Sequence, residues 1–444
     1  MKNLGLPHRP GRRRSATAVS ALLLPLTLSC VAGCSDDGAG TPPPAATPAA
    51  TASGARCVTD ALPAGEDADA GPAATGVYTR EHGATQARQS TPYKARKKDV
   101  SAILVSGSGE LSTRDSKVRK KGATSSVEAS GDHGLNAAAL ARDGGRLTMS
   151  GGKFFATGKG ATAVFATGKD ARATLSATGL RTRAAAARGV TAAHGGRVDL
   201  TYVQVITEGA QAPPVAAGPG GTVTVSGGTM TSAGCGSPGV QTAGDVSVKG
   251  TLFDLANAEA FTVESGGALS LKEVRATAAA GGVLLRGTDT TSFAMTGGSM
   301  QVAEGDLFSV RQTDAEITLA GHAELKSKGG ALLRVRDAGS VRFAADDERL
   351  KGDVLVSDGS AALDLTGTTR LDGAVSGAAV KLGAGTRWSV AGDSTVAGLE
   401  LGSGASVART IDGNGHTVTY DRGASPGLGG KTYRLSGGGT LRPA

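Results

Sequence analysis

Aromatic residues are scarce in this chain of 444 residues, because Phe, Tyr and Trp together make up 3% of it and there is a single Trp. This composition disfavours a globular enzyme with a large aromatic core. Charged residues are also few, at 19%, whereas 39% of the residues are hydrophobic, which excludes a wholly disordered chain. Glycine is abundant, with 69 residues. We therefore expect a fold with small aliphatic side chains inside and many sharp turns.

A repeat with a spacing of 22 to 26 residues runs through most of the chain. Each copy contains a strand-like pair of apolar residues two positions apart, and these pairs begin at Leu147, Ala173, Val198, Val223, Val246, Leu269, Phe293, Ile317, Val341 and Leu363. Eight residues earlier, most copies carry another apolar residue, namely Ala139, Phe165, Val190, Val215, Phe261, Leu285, Leu333 or Leu355. Gly-rich turns separate the two positions, so each copy predicts two short strands and a third segment.

A single copy of about 24 residues is too short to enclose a hydrophobic core by itself. Equivalent strands of successive copies can pair in parallel, which satisfies their backbone groups and stacks like side chains in ladders. A propeller blade would need a period near 40 residues, and a βα solenoid would need an amphipathic helix in every copy. We therefore predict an all-β, single-domain parallel β-helix of about 11–12 coils, roughly 50–60 Å long, with a C-terminal cap.

The repeat resembles the right-handed parallel β-helix of the pectate-lyase-like superfamily, and its composition resembles the passenger segments of autotransporter adhesins. It is also similar to uncharacterised bacterial secreted β-helix proteins. The stretches that carry this likeness are 136–139, 161–168, 414–418 and 430–443. The resemblance covers about residues 99–444 and implies a right-handed β-helix, while it implies little about function.

The N-terminal residues have the features of a bacterial lipoprotein signal peptide. Five basic residues precede an apolar stretch at 21–28, and no acidic residue occurs before Asp36. The apolar stretch is too short to span a membrane. It leads into the sequence Val-Ala-Gly-Cys at 31–34, which resembles a lipobox and implies cleavage after residue 33 and a lipid on Cys34. We therefore predict a lipid anchor on the outer face of the cell membrane, with a soluble secreted protein as the alternative.

The rest of the chain divides by composition. The residues after the signal peptide are rich in Ala, Pro, Thr and Gly and cannot bury a core. Trp388, Tyr420 and Tyr433 lie where the repeat spacing breaks down, which favours a terminal cap. The predicted segments are a signal peptide at 1–33, a disordered tether at 34–75, a transition and N-terminal cap at 76–100, the β-helix at 101–385, and C-terminal coils and a cap at 386–444.

Four cysteines are present. Cys30 would leave with the signal peptide and Cys34 would carry the lipid. Cys57 and Cys235 remain in an oxidising compartment, where a disulfide is allowed. Their separation of 178 residues has no characteristic spacing, so a disulfide and two unrelated thiols are both open.

No catalytic or metal-binding pattern stands out in the sequence. Asp346 and Asp347 form the best acidic pair, but they fall in a turn beside Glu348, and we interpret them as a solvated turn. His194 is interpreted as an ordinary turn residue because Asp or Ser takes the equivalent place in other copies. We therefore predict no catalytic residue, no metal site and no cofactor.

Basic residues are concentrated between positions 153 and 197, where Asp170 is the sole acidic residue. We predict that they contact anionic wall polymers, polysaccharides or lipid headgroups, with a merely solvated face as the alternative. The residues are Lys153, Lys159, Lys169, Arg172, Arg181, Arg183, Arg188 and Arg197. We expect no nucleic-acid partner, because the sequence contains no recognition helix and no stacking motif.

Two classes of function follow from these observations. The preferred hypothesis is a surface-anchored lipoprotein that displays a non-catalytic β-helix rod for adhesion or for binding to cell-surface or extracellular polymers. The alternative is a carbohydrate-active enzyme, either a polysaccharide lyase or a hydrolase. Enzymes of this fold place acidic groups, often with calcium or a basic residue, on one face of adjacent coils.

Overall fold

The computed structural model of the protein describes residues 57–62 and 71–444. Strands of successive coils pair in parallel, and the chain winds into a β-solenoid of about 15 turns. With strands about 4.8 Å apart, the stack of coils is about 70 Å long. The prediction of a parallel, all-β repeat fold is confirmed, whereas the predicted number of coils was too low.

The first sheet has 17 strands, one in nearly every coil. All its neighbours pair in parallel except Tyr433–Arg434, which runs antiparallel to Thr440–Pro443 at the C-terminal end. The strands are Thr75–Arg80, Val100–Ser106, Ala139–Arg142, Val164–Thr167, Val190–Ala193, Val215–Ala217, Val240–Thr242, Glu259–Glu264, Gly281–Arg286, Phe308–Arg311, Leu333–Arg336, Val354–Val356, Val375–Ser376, Ser394–Val396, Thr417–Tyr420, Tyr433–Arg434 and Thr440–Pro443.

The second sheet follows the first in each coil and has 14 parallel strands. Apolar and polar residues alternate along these strands, so one face is buried and the other faces solvent. The strands are Thr85–Gln89, Glu110–Arg114, Arg146–Ser150, Arg172–Ser176, Arg197–Thr201, Thr222–Ser226, Asp245–Lys249, Ala268–Lys272, Thr291–Thr296, Asp314–Ala320, Gly339–Asp346, Gly359–Thr366, Ala379–Leu382 and Gly398–Leu401.

The third segment of each coil is divided between two sheets. The third sheet has ten parallel strands: Pro92–Ala95, Lys117–Lys120, Lys153–Ala156, Gly179–Thr182, Gln204–Thr207, Thr229–Ser232, Leu252–Leu255, Arg275–Ala278, Ser299–Val302 and Glu324–Ser327. The fourth sheet takes its place in the later coils with the four strands Arg349–Lys351, Arg370–Asp372, Arg387–Ser389 and Ile411–Asp412. The third side of the solenoid is therefore interrupted after Ser327.

Helical segments are short. The described residues contain the α-helices Val127–Asp132 and Val407–Thr410 and the 3-10 helix Pro426–Leu428. In this part of the chain no helix has the length and apolar character needed to cross a bilayer.

Most of the predicted inward residues form the core, but the register differs from the prediction at several positions. Phe261 pairs with Val283 and not with Leu285, and Leu355 pairs with Arg334 and is half-buried. Val223 is fully buried between its register partners Val198 and Val246. The repeat pattern predicted that Val341 aligns with Ile317, but Ile317 pairs with Phe343 instead. Val341 and Phe343 are two positions apart and both point inward, so a shift of two residues keeps the same face buried.

The first sheet is buried on both faces over several coils, which explains a further correction. Phe165 was predicted to align with Val190, but Val190 pairs with Val164. Phe165 instead points outward and packs with Leu140 in a separate apolar cluster beneath the segment 121–138. Where both faces of a strand are covered, apolar and polar residues do not alternate, and the sequence does not show which residues point inward.

The strands of residues 76–100 form a complete first coil, where the sequence predicted a transition and cap. Strand Thr85–Gln89 pairs with Glu110–Arg114 of the next coil although it contains no large aliphatic residue. Because this strand lacks large aliphatic side chains, the spacing of apolar residues did not predict the first coil.

Residues 57–62, which fall within the predicted disordered tether, are fixed against the first sheet. A disulfide joins Cys57 to Cys235, with the two Cα atoms 5.0 Å apart. The backbone N–H of Leu62 donates to Glu264 Oε2 at 2.7 Å. Both contacts cross about 180 to 200 residues of sequence, so residues 57–62 are held by the solenoid and are not a disordered segment.

Candidate functional site

The eight predicted basic residues do not form one surface. Lys153 and Arg181 are exposed on the third sheet, and Arg172 and Arg197 are exposed on the second. Lys169 lies in the turn between the first and second sheets, and Lys159 lies in the loop that leads to the first sheet. Arg183 is exposed just after the third sheet, and Arg188 is buried.

Two of these arginines share one carboxylate. Arg172 and Arg197 are register partners on the second sheet, and both contact Asp199, at 2.6 Å and 2.8 Å respectively. Burial alone would raise the pKa of Asp199, but the hydrogen bonds and charges of Arg197 and Arg172 bring it below its usual value. These two exposed arginines are therefore engaged in ion pairs with a residue of the protein itself.

Three further arginines are also engaged. Glu208 forms ion pairs with Arg181 and with Arg183, the latter at 3.3 Å. Arg188 is 8% exposed and donates from Nη1 to the carbonyl of Gly131 at 2.8 Å. Burial lowers the pKa of Arg188 to about 10. Arg188 therefore stabilises the fold and is not available to an external polyanion.

Lys153 has no acidic partner within ion-pair distance in the described part of the chain, and it belongs to a compact group of cations. Lys153 is the register partner of Lys117, and Lys94 is the register partner of Arg119. All four side chains are exposed, and none forms a salt bridge within the described ranges. We call Lys94, Lys117, Arg119 and Lys153 the basic face.

The basic face arises from strand geometry. Neighbouring strands lie about 4.8 Å apart, and residues two apart on a strand lie about 7 Å apart on the same face. Lys117 and Arg119 share one strand, so the four cations occupy one small area of the third sheet. The sequence analysis included Lys153 among the basic residues but did not predict its alignment with Lys117, because the insertion at 121–138 sets these two residues opposite each other at an unusual offset.

A cavity of about 600 Å³ opens where the third sheet ends. It lies between strand Glu324–Ser327 and strand Arg349–Lys351, which belong to different sheets. Its lining includes acidic and basic side chains, among them His322, Lys326, Glu348, Arg349 and Arg370.

Glu348 is the least exposed carboxylate in this cavity lining. It is fully buried, and its Oε1 accepts a hydrogen bond from Ala323 N at 3.1 Å. Burial raises the pKa of Glu348. Asp347 is different, because the backbone N–H and hydroxyl of Thr368 donate to its carboxylate and lower its pKa. The pKa values of these two neighbouring carboxyl groups are therefore shifted in opposite directions.

The other residues singled out in the sequence have distinct environments. Cys34 and the predicted signal peptide lie outside the described residues. His194 lies in a turn with φ of 50°, as expected of a turn residue, but its side chain is 7% exposed and contacts Asp132. Trp388 and Tyr420 are fully buried in the core, and Trp388 donates from Nε1 to Gly373 O at 2.9 Å.

No protein-family model matches the chain. The chain is similar to the BrkA autotransporter of Bordetella pertussis, with 26% identity over 338 residues. The match covers 68% of this chain and 32% of that protein, so the chain spans about a third of the length of this relative. The likeness is weak, and it agrees with the parallel β-helix fold and with the resemblance to autotransporter passenger segments.

Proposed function

We propose that this protein is an adhesin-like rod outside the cytoplasm and that its basic face binds anionic polysaccharides or wall polymers. The observation that carries the proposal is the group of four exposed cations that have no acidic partner among residues 57–62 and 71–444, whereas most of the nearby arginines are paired. The likeness to an autotransporter supports a surface-exposed or secreted location, and the disulfide supports an oxidising compartment. Attachment to the membrane through a lipid on Cys34 is part of the same proposal.

The physical basis is electrostatic. Like charges on neighbouring strands of a rigid sheet raise the local positive potential, and no carboxylate in the described part of the chain pairs with these four cations. A flexible polyanion can place several charged groups against such a face at once. Each well-placed Lys or Arg near an anionic surface contributes about 1 kcal/mol. Because salt screens exposed charges, the binding must weaken as ionic strength rises.

The test uses two charge-reversal variants of the full chain. One carries Lys117→Glu with Lys153→Glu on the basic face. The matched control carries Lys249→Glu with Lys272→Glu, which are also exposed register partners, on the second sheet. The two variants have the same net charge, so a difference between them reports position. The probes are labelled polygalacturonate and heparin, with neutral dextran as the reference polymer.

We expect the basic-face variant to bind both polyanions at least about 30-fold more weakly than the wild type, from about 1 kcal/mol for each lost cation. The control variant should lose much less. Equal losses in the two variants, binding that salt does not weaken, or no binding by the wild type would overturn the proposal. Preference for phosphatidylglycerol vesicles over both soluble polymers would assign the face to lipid headgroups instead.

One observation favours the enzymatic alternative. The cavity beside Glu348 combines a buried carboxyl group of raised pKa with a neighbouring carboxylate of lowered pKa, and glycoside cleavage uses an acid and a base of this kind. Incubation with a panel of acidic polysaccharides, followed by an assay for new reducing ends and unsaturated products, tests this function. Turnover that is lost in Glu348→Gln would support a catalytic function. Absence of turnover on every polymer of the panel would rule out the enzymatic alternative.

A further inference from the structure

Three potential metal ligands meet outside the basic face and the cavity. Asp132 is the last residue of the helix Val127–Asp132, and His133 follows it as the C-cap. His194 lies in the turn after the first-sheet strand Val190–Ala193. Their side chains are 5%, 10% and 7% exposed. Residues that are 62 positions apart in sequence are therefore brought together in a nearly buried cluster.

The contacts within this cluster are short. His194 Nε2 lies 2.9 Å from Asp132 Oδ1, and His133 Nε2 lies 3.1 Å from Asp132 Oδ2. The two imidazole rings are stacked, with centroids 5.1 Å apart and an interplanar angle of 12°. One ligand atom from each residue lies within 4.8 Å of the other two. The carboxylate therefore stands between two imidazole nitrogens that face it.

The surrounding residues hold the cluster in place. Ser126 caps the helix, since its Oγ accepts from Ala129 N at 3.1 Å. Arg188 donates to the carbonyl of Gly131, next to Asp132, at 2.8 Å. The guanidinium also interacts electrostatically with Asp132. Arg188 therefore places a positive charge near the side chain of Asp132 and helps to hold the end of the helix in position.

We propose that Asp132, His133 and His194 bind a divalent transition-metal ion, with zinc as the preferred ion. Two imidazole nitrogens and one carboxylate oxygen form a common protein ligand set for zinc, and a water molecule can complete the tetrahedron. Zinc bonds of about 2.0–2.2 Å place neighbouring ligand atoms about 3.3 Å apart. The two observed imidazole–carboxylate distances, each to a different oxygen of Asp132, are within a few tenths of an ångström of this value.

Calcium and magnesium fit this cluster poorly. Both ions prefer six or more oxygen ligands, or several waters, whereas two of the three donors here are nitrogens. For zinc binding the two rings must tilt so that both Nε2 atoms converge on one ion. An imidazole that binds the ion through Nε2 carries its proton on Nδ1.

Bound metal would connect two parts of the fold. Asp132 and His133 belong to the insertion at 121–138, and His194 belongs to the coil beneath it. The insertion covers the outward-facing Phe165. A ligand that binds only the folded state stabilises that state. Zinc should therefore stabilise the packing of the insertion at 121–138 against the first sheet.

The experiment measures zinc binding to the full chain by isothermal titration calorimetry. The protein carries no polyhistidine tag, Cys30 and Cys34 are alkylated, and metal is first removed with a chelator. We expect one zinc ion per chain, a rise in melting temperature with zinc but not with calcium, and a loss of affinity of at least tenfold in His194→Ala and in Asp132→Asn. His416→Ala is the control, because His416 is 39% exposed and lies far along the sequence, near Asp393.

Cobalt gives a second measurement that does not depend on a variant that folds. Cobalt bound by this ligand set should show the intense visible absorption of a four-coordinate site, and zinc should displace it. Absence of zinc binding by the wild type, or equal binding by Asp132→Asn and His194→Ala, would overturn the proposal and leave a hydrogen-bonded His–Asp–His group. Circular dichroism of each variant separates loss of binding from loss of fold.

Discussion

Replacing Val223 by Asp tests the inward ladders on which the fold depends. Val223 is fully buried, with Val198 and Val246 above and below it in the stack. Loss of the buried valine costs about 2 kcal/mol, and a neutral carboxyl group without partners costs about 1–3 kcal/mol more. At low pH we therefore expect Val223→Asp to lose about 3–5 kcal/mol of stability.

The loss should grow as pH rises. Burial in an apolar ladder raises the folded-state pKa of the new carboxyl group, while the unfolded chain keeps a value near 3.9. Each pH unit between these two values removes about 1.4 kcal/mol from the folded state. At pH 7 the total loss can reach about 8 kcal/mol, and the variant should be largely unfolded.

Urea unfolding, followed by far-ultraviolet circular dichroism at pH 4 and pH 7, measures both effects. Midpoints are compared because long repeat arrays depart from two-state behaviour. The control is Ser226→Asp on the same strand, since Ser226 is exposed and has Lys249 as a register partner. We expect it to change stability by less than about 0.5 kcal/mol. Equal midpoints for Val223→Asp and the wild type would refute the inward position of Val223.

Three further predictions concern other parts of the fold. Cys57→Ser should remove the bond to Cys235 and lower stability by about 2–4 kcal/mol; an unchanged thermal melt, and no new protease sensitivity near residue 57, would contradict this. Glu348→Gln should stabilise the protein at pH 7 but not below about pH 4.5, because the raised pKa of Glu348 means that its charged form opposes folding. The exposed Glu324→Gln is its control, and a gain for Glu348→Gln that is the same at both pH values would exclude that cause. Trp388 should fluoresce at short wavelength until the C-terminal coils unfold, and Trp388→Phe should cost about 1 kcal/mol through its lost hydrogen bond; emission typical of exposed tryptophan in the native protein would contradict its burial.

The repeat could be recognised from sequence because its spacing and its apolar pairs are local properties. The register of the individual strand pairs was harder to predict. Pairing Ile317 with Phe343 in place of Val341 shifts the strand by two residues and keeps the same face buried. The apolar pattern therefore cannot distinguish the two registers. Phe165 could not be placed because residues distant in sequence cover the outer face of its strand.

The candidate sites were harder to predict for a related reason. The basic segment considered in the sequence ended at Arg197, two residues before Asp199, which forms ion pairs with arginines from two adjacent coils. The alignment of Lys117 with Lys153, and the contact of Asp132 with His194, both depend on where the insertion at 121–138 leaves and rejoins the solenoid. A period derived from the regular coils contains no information about an insertion that interrupts them.

Lysine footprinting by mass spectrometry tests the central claim about the basic face most directly. The full chain is modified with a lysine-reactive reagent, with and without saturating heparin. We predict that heparin protects Lys94, Lys117 and Lys153, while Lys249 and Lys272 react at unchanged rates. Protection of Lys249 and Lys272, or unchanged reactivity of the three lysines on the third sheet while the polymer is bound, would contradict the account.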